Sequence, residues 1–262
     1  MNISHLKTLL YHNEQGVTTI TLNRPEKKNA LNDIVVAELS KLLEELSTAA
    51  DTRILILEGA GDAFCSGADL AYLKNLKDYS YEENLEDSRA LAGLFLKIYD
   101  FPKLTIAKVN GPAIAGGCGL ATLCDFVFAT DRSKFGYPEV KIGFVAAIVS
   151  VFLIRQIGER KARELLLSGK ILSAEEALST GLINKVLLNS ELDTYIASFV
   201  SKIIRNSPQA VKRTKTLLNS FSFELPVDAL DELVKLNAEF RQTSDFSEGV
   251  NSFLEKRKPN WI

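Results

Sequence analysis

The strongest constraint on the fold is a repeated order of apolar strand, turn and helix along the first half of the chain. Runs rich in β-branched and aliphatic residues predict strands at 17–22, 53–58, 104–109 and 125–129. A single apolar stripe predicts a helix that Asn32 or Asp33 caps and that ends near Ala50, and a second helix follows from about Glu82 to Tyr99. Strands that alternate with helices pair in parallel, so the sequence predicts an α/β fold with a parallel core.

The remainder of the chain is mainly helical. A helix start signal occurs at Ser207, and 183–187 is one further strand candidate. No linker rich in Gly, Ser or Pro separates this part from the core. We therefore predict an α/β core over residues 1–200 and a helical C-terminal region over 201–262. The stretch 72–81, which precedes the second predicted helix, is polar and aromatic, and we interpret it as a mobile flap.

The composition of the 262 residues disfavours several classes of protein. With a net charge of −2 and interspersed charges, the chain carries no basic footprint for nucleic acid. No apolar stretch reaches the length of about 18 residues that a membrane-spanning helix needs, and no secretory signal pattern opens the chain. Three cysteines without a close CxxC pair predict neither a disulfide framework nor a zinc site. We therefore expect a cytoplasmic protein without a metal ion.

Two segments of small residues, 64–70 and 110–120, each follow a predicted strand. Small residues let backbone N–H groups approach a ligand, and two such donors can hold a developing oxyanion. The second segment has neither the ending of a P-loop nor the spacing of a dinucleotide-binding fingerprint. The surroundings of Ser66 do not match a G-x-S-x-G nucleophile elbow, and both histidines precede the first predicted strand, which disfavours a Ser-His-Asp hydrolase.

Glu139 is the candidate acid–base residue. It ends the motif Phe-Gly-Tyr-Pro-Glu at 135–139 and stands at the head of the mostly apolar run 140–149. An apolar wall disfavours the charged form of a carboxyl group, which raises its pKa toward the range that a proton shuttle at neutral pH requires. A solvated surface glutamate is the competing interpretation of this position.

Four motifs in order, at 23–32, 64–70, 110–118 and 135–139, resemble those of the crotonase, or enoyl-CoA hydratase/isomerase, superfamily, and further matches extend to 255–258. The resemblance implies a crotonase-like spiral of ββα units with a helical C-terminal region. It also implies assembly as a homotrimer or homohexamer, in which the C-terminal region contributes to the oligomer and to the CoA site. The implied substrate is an acyl-CoA thioester, so coenzyme A enters as part of the substrate and no separate cofactor is expected.

The resemblance also assigns roles to individual residues. The backbone N–H groups of Ser66 and Gly116 correspond to an oxyanion hole for the thioester oxygen. Positions matching the family's contacts with CoA are Lys27, Lys28, Ala30, Ala63, Ala68, Leu70, Phe253 and Lys256. Lysine ammonium groups suit phosphates as point charges, although a solvated basic face explains any single one of them equally well.

One departure from the family pattern bears on the reaction. Family hydratases use two glutamates, whereas this chain has Gly119 at the first position and Glu139 at the second. One carboxylate is enough to move a proton between two carbons of a thioester enolate, so the site favours isomerisation between 3-enoyl-CoA and 2-enoyl-CoA. Overall similarity instead favours a hydratase working with a single glutamate, with Gly119 leaving space for a water molecule or a bulky acyl group.

A decarboxylase and a non-catalytic protein are also compatible with these residues. An acyl-CoA decarboxylase needs only the oxyanion hole and a later proton donor, and a non-catalytic acyl-CoA-binding paralogue needs neither glutamate. The segment 144–150 carries no ionisable residue that could replace the missing carboxylate. Its bulky side chains suggest an altered or branched acyl pocket.

Overall fold

The computed structural model describes residues 6–221 and 227–260. Its strands, in chain order, are β1 (Leu9–Glu14), β2 (Val17–Leu22), β3 (Ile54–Gly59), β4 (Leu104–Val109), β5 (Ala113–Ile114), β6 (Phe126–Thr130), β7 (Lys134–Gly136), β8 (Ile171–Ser173) and β9 (Lys185–Leu187). The main sheet has the order β1-β2-β3-β4-β6-β9. Its strands pair in parallel except for the antiparallel hairpin of β1 and β2. The predicted α/β fold with a parallel core is confirmed.

The helices are α1 (Asp33–Thr48), α2 (Leu70–Leu76), α3 (Tyr81–Tyr99), α4 (Gly116–Thr122), α5 (Ala147–Ser168), α6 (Ala174–Ser179), α7 (Leu192–Ile203), α8 (Pro208–Phe221), α9 (Val227–Phe240) and α10 (Ser244–Leu254), with 3-10 turns at Pro25–Lys27 and Pro138–Ile142. As predicted, the Asn32 side chain caps α1, accepting from the Val35 N–H at 3.0 Å. No helix in the described part of the chain is both long and apolar enough to cross a bilayer.

Both faces of the main sheet are covered. Leu55 and Leu57 of β3 point into the larger core together with Leu39 of α1. Ile54 and Ile56, which alternate with them along the strand, pack instead with the buried side chains of α7. This arrangement explains why the central strands are almost continuously apolar, as parallel strands buried on both faces are.

A second, small sheet has the order β5-β7-β8. Strand β5 pairs in parallel with β7, and β7 pairs antiparallel with β8. Because α4 begins directly after β5 and the 3-10 turn Pro138–Ile142 directly follows β7, this sheet places the start of α4 beside the segment that carries Glu139.

The helices that follow the core fold back over it. Helix α9 packs against α3 and α5, and α10 packs against α2 and the 3-10 turn Pro138–Ile142. The approach of α10 requires Gly249, because a Cβ there would lie 2.1 Å from the Ile142 carbonyl oxygen. The predicted division between 1–200 and 201–262 falls within α7 and stays a prediction.

The stretch 72–81, interpreted from its composition as a flap, is largely helical in the structure. It contributes most of α2, whose Leu73 and Leu76 side chains are buried with Phe246 and Val250 of α10. Local sequence patterns do not predict this helix, because the apolar partners of its two buried positions lie on a helix more than a hundred residues further along the chain.

Candidate active site

Three short segments meet side by side at the small sheet. Cys65 forms an isolated parallel bridge with Ala113, and Ala113 pairs in turn with Phe135 of β7. The Ala115 N–H donates to the Gly136 carbonyl at 2.8 Å. The two glycine-containing segments and the Phe-Gly-Tyr-Pro-Glu motif, which are distant in the sequence, therefore form one site.

Two half-buried residues at this site carry backbone N–H groups that have no acceptor within 6–221 and 227–260, namely Ala68 and Gly116. Gly116 is the first residue of α4, where N–H groups lack an intrahelical acceptor. The segments that carry both donors touch, because a Cβ on Gly67 would lie 3.0 Å from the Ala115 Cβ. Each of the two N–H groups is therefore available to an acceptor that enters the site.

The residue before α4 has an unusual backbone conformation. Ala115 has φ 53° and ψ −126°, which lies outside the regions that residues with a Cβ normally occupy. Such a conformation costs on the order of 1–3 kcal/mol and persists only where the surrounding structure enforces it. The hydrogen bond to Gly136 holds Ala115 in place, and this conformation determines the direction of the Gly116 N–H.

Ser66, the other predicted oxyanion donor, is already engaged in this structure. Its backbone N–H donates to the Lys28 carbonyl at 3.0 Å. The Ser66 N–H would have to be shared with, or released from, Lys28 before it could bind a thioester oxygen, so its assignment as a donor stays a prediction. The Gly116 N–H has no such competitor among the residues described.

Glu139 is buried, which excludes the interpretation as a solvated surface glutamate. Only 8% of the residue is exposed, and its Oε2 atom has no hydrogen-bond partner in the described structure. Burial raises the pKa of Glu139 to about 7, and a hydrogen bond that the carboxyl group accepts from the residue's own backbone N–H lowers it by a smaller amount. A carboxyl group with this pKa exists in both protonation states near neutral pH, so it can accept a proton and give it back.

Tyr137 fixes the segment that precedes Glu139. Its ring is 1% exposed, and its hydroxyl group lies 3.0 Å from the Thr122 Oγ1 at the end of α4. The Cys118 thiol forms a second contact with the same hydroxyl. The tyrosine therefore links the helix that carries Gly116 to the turn that carries Glu139.

The three cysteines have no nucleophilic character. Burial raises the pKa of each of the Cys65, Cys118 and Cys124 thiols to about 12, so that the reactive thiolate is not populated. The described residues contain no group of three or more His, Cys, Asp or Glu side chains placed to hold a metal ion. The absence of a cofactor stays a prediction.

The position of the missing family carboxylate is filled with hydrocarbon. Gly119 is fully buried, and a Cβ there would lie 2.9 Å from both the Phe95 Cζ and the Val149 Cγ1. Phe95 itself is 0% exposed. The space that the sequence analysis assigned to a water molecule or a bulky acyl group beside Gly119 is therefore occupied by these two side chains.

The turn after β2 carries some of the residues assigned to CoA. Lys27 and Lys28 are exposed. Arg24 joins this turn to the segment 64–70. Its guanidinium group donates to the Ala30 carbonyl at 2.6 Å and to the Asp69 Oδ2 at 2.7 Å. Ala30 is 4% exposed and its carbonyl is taken by Arg24, so any contact of Ala30 with CoA is limited to packing.

The remaining positions assigned to CoA differ in exposure. Ala63 is buried and Ala68 is half-buried, whereas the large apolar side chains of Leu70 and Phe253 are 52% and 49% exposed. Leu70 begins α2 and Phe253 lies on α10, and these two helices pack together. Lys256 is exposed just beyond α10. Their contacts with CoA stay predictions.

Similarity to known proteins identifies the family of this chain. The sequence profile described as "Enoyl-CoA hydratase/isomerase" matches residues 12–262. The chain belongs to this family, as the resemblance of its motifs predicted, and its fold is the crotonase fold. A crystal structure of an enoyl-CoA hydratase from Mycobacterium avium superposes with a TM-score of 0.87 at 31% identity, covering 98% of this chain and 99% of that one.

Curated relatives match over nearly their whole length. The "Putative enoyl-CoA hydratase" of Thermus thermophilus is 40% identical over 253 residues, covering 95% of this chain and 98% of that protein. The 2,3-dehydroadipyl-CoA hydratase of Escherichia coli is 33% identical over 258 residues, covering 98% and 99%. These proteins are named as hydratases, whereas the sequence analysis favoured isomerisation.

Sequence reasoning missed two features of the site. It placed Ala68 beside CoA and did not consider its N–H group, although the residue lies in the same segment as Ser66. It also missed Phe95, which belongs to the middle of α3 and has no motif around it. Only the three-dimensional packing of α3 against α4 shows that this ring fills the space beside Gly119.

Proposed function

We propose that this protein is an enoyl-CoA hydratase in which Glu139 is the only acid–base carboxylate. The observation that carries the proposal is the buried Glu139 carboxyl group, which has an unpartnered Oε2 and a pKa of about 7. The hydratase names of its relatives support water addition, and 3-enoyl/2-enoyl isomerisation becomes the second candidate.

In this reaction a single carboxyl group must first accept a proton and then return it. Ionised Glu139 takes a proton from water as the water oxygen bonds to C3 of the 2-enoyl thioester. The electron pair of the C2–C3 double bond moves toward the thioester carbonyl and forms an enolate oxyanion. Glu139 then returns the proton to C2, which restores the carbonyl and regenerates the carboxylate.

We infer that the Ala68 and Gly116 N–H groups hold this oxyanion. Both are free and their segments touch, whereas the Ser66 N–H donates to Lys28. Donors fixed before the reaction stabilise charge that develops in the transition state without the cost of reorganisation. The Ser66 N–H remains a donor only if substrate binding displaces the Lys28 carbonyl.

Isomerisation is retained as the second candidate because of the surroundings of Gly119. Phe95 and Val149 leave that side of the site without a polar group to orient water. A dry site favours the transfer of a proton from C2 to C4 by one carboxylate over the addition of water. Decarboxylation of an acyl-CoA and binding without catalysis are the remaining outcomes of the experiment below.

The substrate class, assembly and location are part of the proposal. We propose an acyl-CoA thioester, with Lys27, Lys28 and Lys256 near its phosphates, and the bulky apolar segment 144–150 favours a branched acyl chain. A homotrimer or homohexamer follows from the family resemblance, in which CoA is part of the substrate and not a separate cofactor. The cytoplasmic location is proposed from the odd number of cysteines without a close CxxC pair.

A panel of enoyl-CoA esters separates these candidates. The purified protein is assayed for loss of the 2-enoyl chromophore, which reports hydration, and for formation of the same chromophore from 3-enoyl-CoA esters, which reports isomerisation. The proposal expects hydration to be the faster reaction. Faster isomerisation would establish the second candidate, and release of carbon dioxide from a carboxylated acyl-CoA would establish the third. Binding without any turnover or exchange of C2 protons would identify a non-catalytic protein.

A further inference from the structure

A partly buried chain of contacts runs from α2 through α3 to Arg241 and Phe144. The Tyr72 hydroxyl group on α2 donates to Asp87 on α3. Asp87 in turn accepts from the Arg241 guanidinium group at 2.5 Å. The same guanidinium group lies over the Phe144 ring, 5.6 Å from its centroid. We call these four residues the Asp87 link.

Burial makes this link costly to break. The side chains of Arg241 and Asp87 are 3% and 17% exposed, and Arg241 has no other carboxylate partner among the residues described. Removing one partner of such a pair leaves an uncompensated charge in a medium of low dielectric constant. A second hydrogen bond, from Arg241 to the Asn84 Oδ1 at 3.3 Å, fixes the plane of the guanidinium group.

The two ends of the link reach the two catalytic segments. Tyr72 lies in the first turn of α2, and Asp69, the residue after Ala68, caps that helix by accepting from the Ala71 N–H at 2.9 Å. At the other end, the Phe144 N–H donates to the Glu139 carbonyl at 3.0 Å. One end therefore adjoins the Ala68 donor and the other adjoins the acid–base carboxylate.

Both ends of the Asp87 link also pack against one shared set of apolar side chains. Tyr72 and Phe144 contact the same apolar cluster, which is formed by Leu73, Leu76, Phe246 and Val250. Apolar packing alone is tolerant of small shifts, whereas an ion pair with an oriented guanidinium plane and a tyrosine hydroxyl group has one preferred geometry. The link therefore supplies directional constraints that the surrounding cluster lacks.

We propose that Asp87 and Arg241 are positioning residues that set the placement of the Ala68 N–H relative to Glu139. They act through Tyr72 and Phe144 and touch neither the thioester nor the reacting carbons. This inference rests on the proposed function, because it assumes that Ala68 and Glu139 act on the same substrate. A displacement of about 1 Å at either end is enough to lower a rate by up to a hundredfold.

The test uses Asp87→Asn in the full-length protein, with Asp125→Asn as the matched control. Asp125 forms the comparable buried ion pair with Lys215 at 2.8 Å, with side-chain exposures of 22% and 9%, and has no contact with the Asp87 link in the described structure. Both variants remove one buried carboxylate charge. Only Asp87→Asn removes a charge that lies between the two catalytic segments.

Two measurements are made on each variant. One is kcat and KM for the best enoyl-CoA ester of the panel. The other is the absorption maximum of bound 4-dimethylaminocinnamoyl-CoA, a chromophoric thioester whose spectrum shifts to the red when hydrogen bonds polarise its carbonyl. We expect Asp87→Asn to lower kcat about tenfold or more with KM changed less than about threefold, and to reduce the red shift. Asp125→Asn should destabilise the protein by a similar amount and should leave both kcat and the red shift unchanged.

An Asp87→Asn variant with wild-type kcat and red shift overturns the inference, and so does an equal decrease in Asp125→Asn. If Asp87→Asn does not fold, Tyr72→Phe keeps the ion pair and removes only the link to α2, and it must reduce the red shift. A wild-type protein that turns over no ester overturns the proposed function alone, because the spectral comparison of the variants still decides the inference.

Discussion

Gly119 of α4 lies against the ring of Phe95 of α3, so closely that a Cβ on Gly119 would be 2.9 Å from the Phe95 Cζ. The family position for a second carboxylate is therefore closed by a ring that is 0% exposed. Phe95 and Val149 occupy the space that a side chain at position 119 would need. In consequence, all acid–base chemistry proposed for this site depends on Glu139.

The first prediction concerns the Gly119–Phe95 contact. Gly119→Ala should destabilise the protein by about 1–2 kcal/mol, because overpacking in a full core outweighs the gain of up to about 1 kcal/mol that alanine brings to a helix. Urea unfolding measures the change. Adding Phe95→Leu to the Gly119→Ala protein should recover part of the lost stability. Such a recovery would show that the loss comes from the steric contact between residues 119 and 95.

The same contact predicts the outcome of restoring the carboxylate. Gly119→Glu alone should not raise hydration, because the side chain has no space beside Phe95 and Val149. An increase in hydration in a folded Gly119→Glu protein would show that the two side chains move aside easily, which contradicts the packing seen here.

The second prediction concerns the dependence of stability on the ionisation of Glu139. Its pKa is raised from 4.5 to about 7 in the folded protein, so the folded state binds more protons than the unfolded state between these values. Wild-type stability contributed by this group is therefore fully present below about pH 4.5 and is lost as the pH rises through 7. The loss amounts to about 3 kcal/mol.

Glu139→Gln removes this titration while keeping the size of the side chain. Its stability relative to the wild type should rise by about 3 kcal/mol between pH 4.5 and pH 8, and urea unfolding at several pH values measures the difference. Other ionisable groups cancel in the comparison. A difference that does not vary with pH would mean that Glu139 is not held in an apolar environment.

Features of this protein that depend on residues close together in the sequence could be predicted, whereas features that depend on distant residues could not. The parallel core and helix α1 were predictable because each is encoded by local periodicity and by a cap such as Asn32. The burial of Glu139 was also predictable, since a mostly apolar run follows it in the sequence. Helix α2 and the Phe95 ring were not, because their roles depend on contacts with α10 and α4 that no local pattern records.

The proposed oxyanion donors were also not predictable from the sequence, for the same reason. The sequence identifies the small-residue segment 64–70, but which N–H group within it is free depends on the Lys28 carbonyl, which arrives from another turn. Ser66 and Ala68 are two residues apart and both are small. Only the hydrogen bond from Ser66 to Lys28 distinguishes them.

The third prediction tests that distinction. Replacing the Ala68 N–H by an ester oxygen should lower kcat by about 10²–10³, the usual effect of removing one oxyanion donor. The same replacement at Ser66 is the matched control and should cost about 1 kcal/mol of stability through the lost bond to Lys28, with kcat nearly unchanged. If the Ser66 ester is the more damaging to kcat, Ser66 is the donor and Ala68 is not.

The fourth prediction concerns the turn after β2. Lys28→Gln should raise KM for CoA esters by about two- to fivefold with kcat unchanged, because an exposed ammonium–phosphate contact contributes at most about 1 kcal/mol. The effect should shrink at high ionic strength. Lys161→Gln, on the exposed surface of α5, is the control, and an equal change in KM there would remove Lys28 from the CoA site.

The most direct test of the central claim is the turnover of an active enoyl-CoA ester by Glu139→Gln at neutral pH. Glutamine keeps the shape of the side chain but can neither accept nor return a proton. We expect kcat to fall by about 10²–10⁴, the contribution typical of general acid–base catalysis, with binding of the ester retained. Turnover at the wild-type rate would show that another group moves the proton and would contradict the assignment of Glu139.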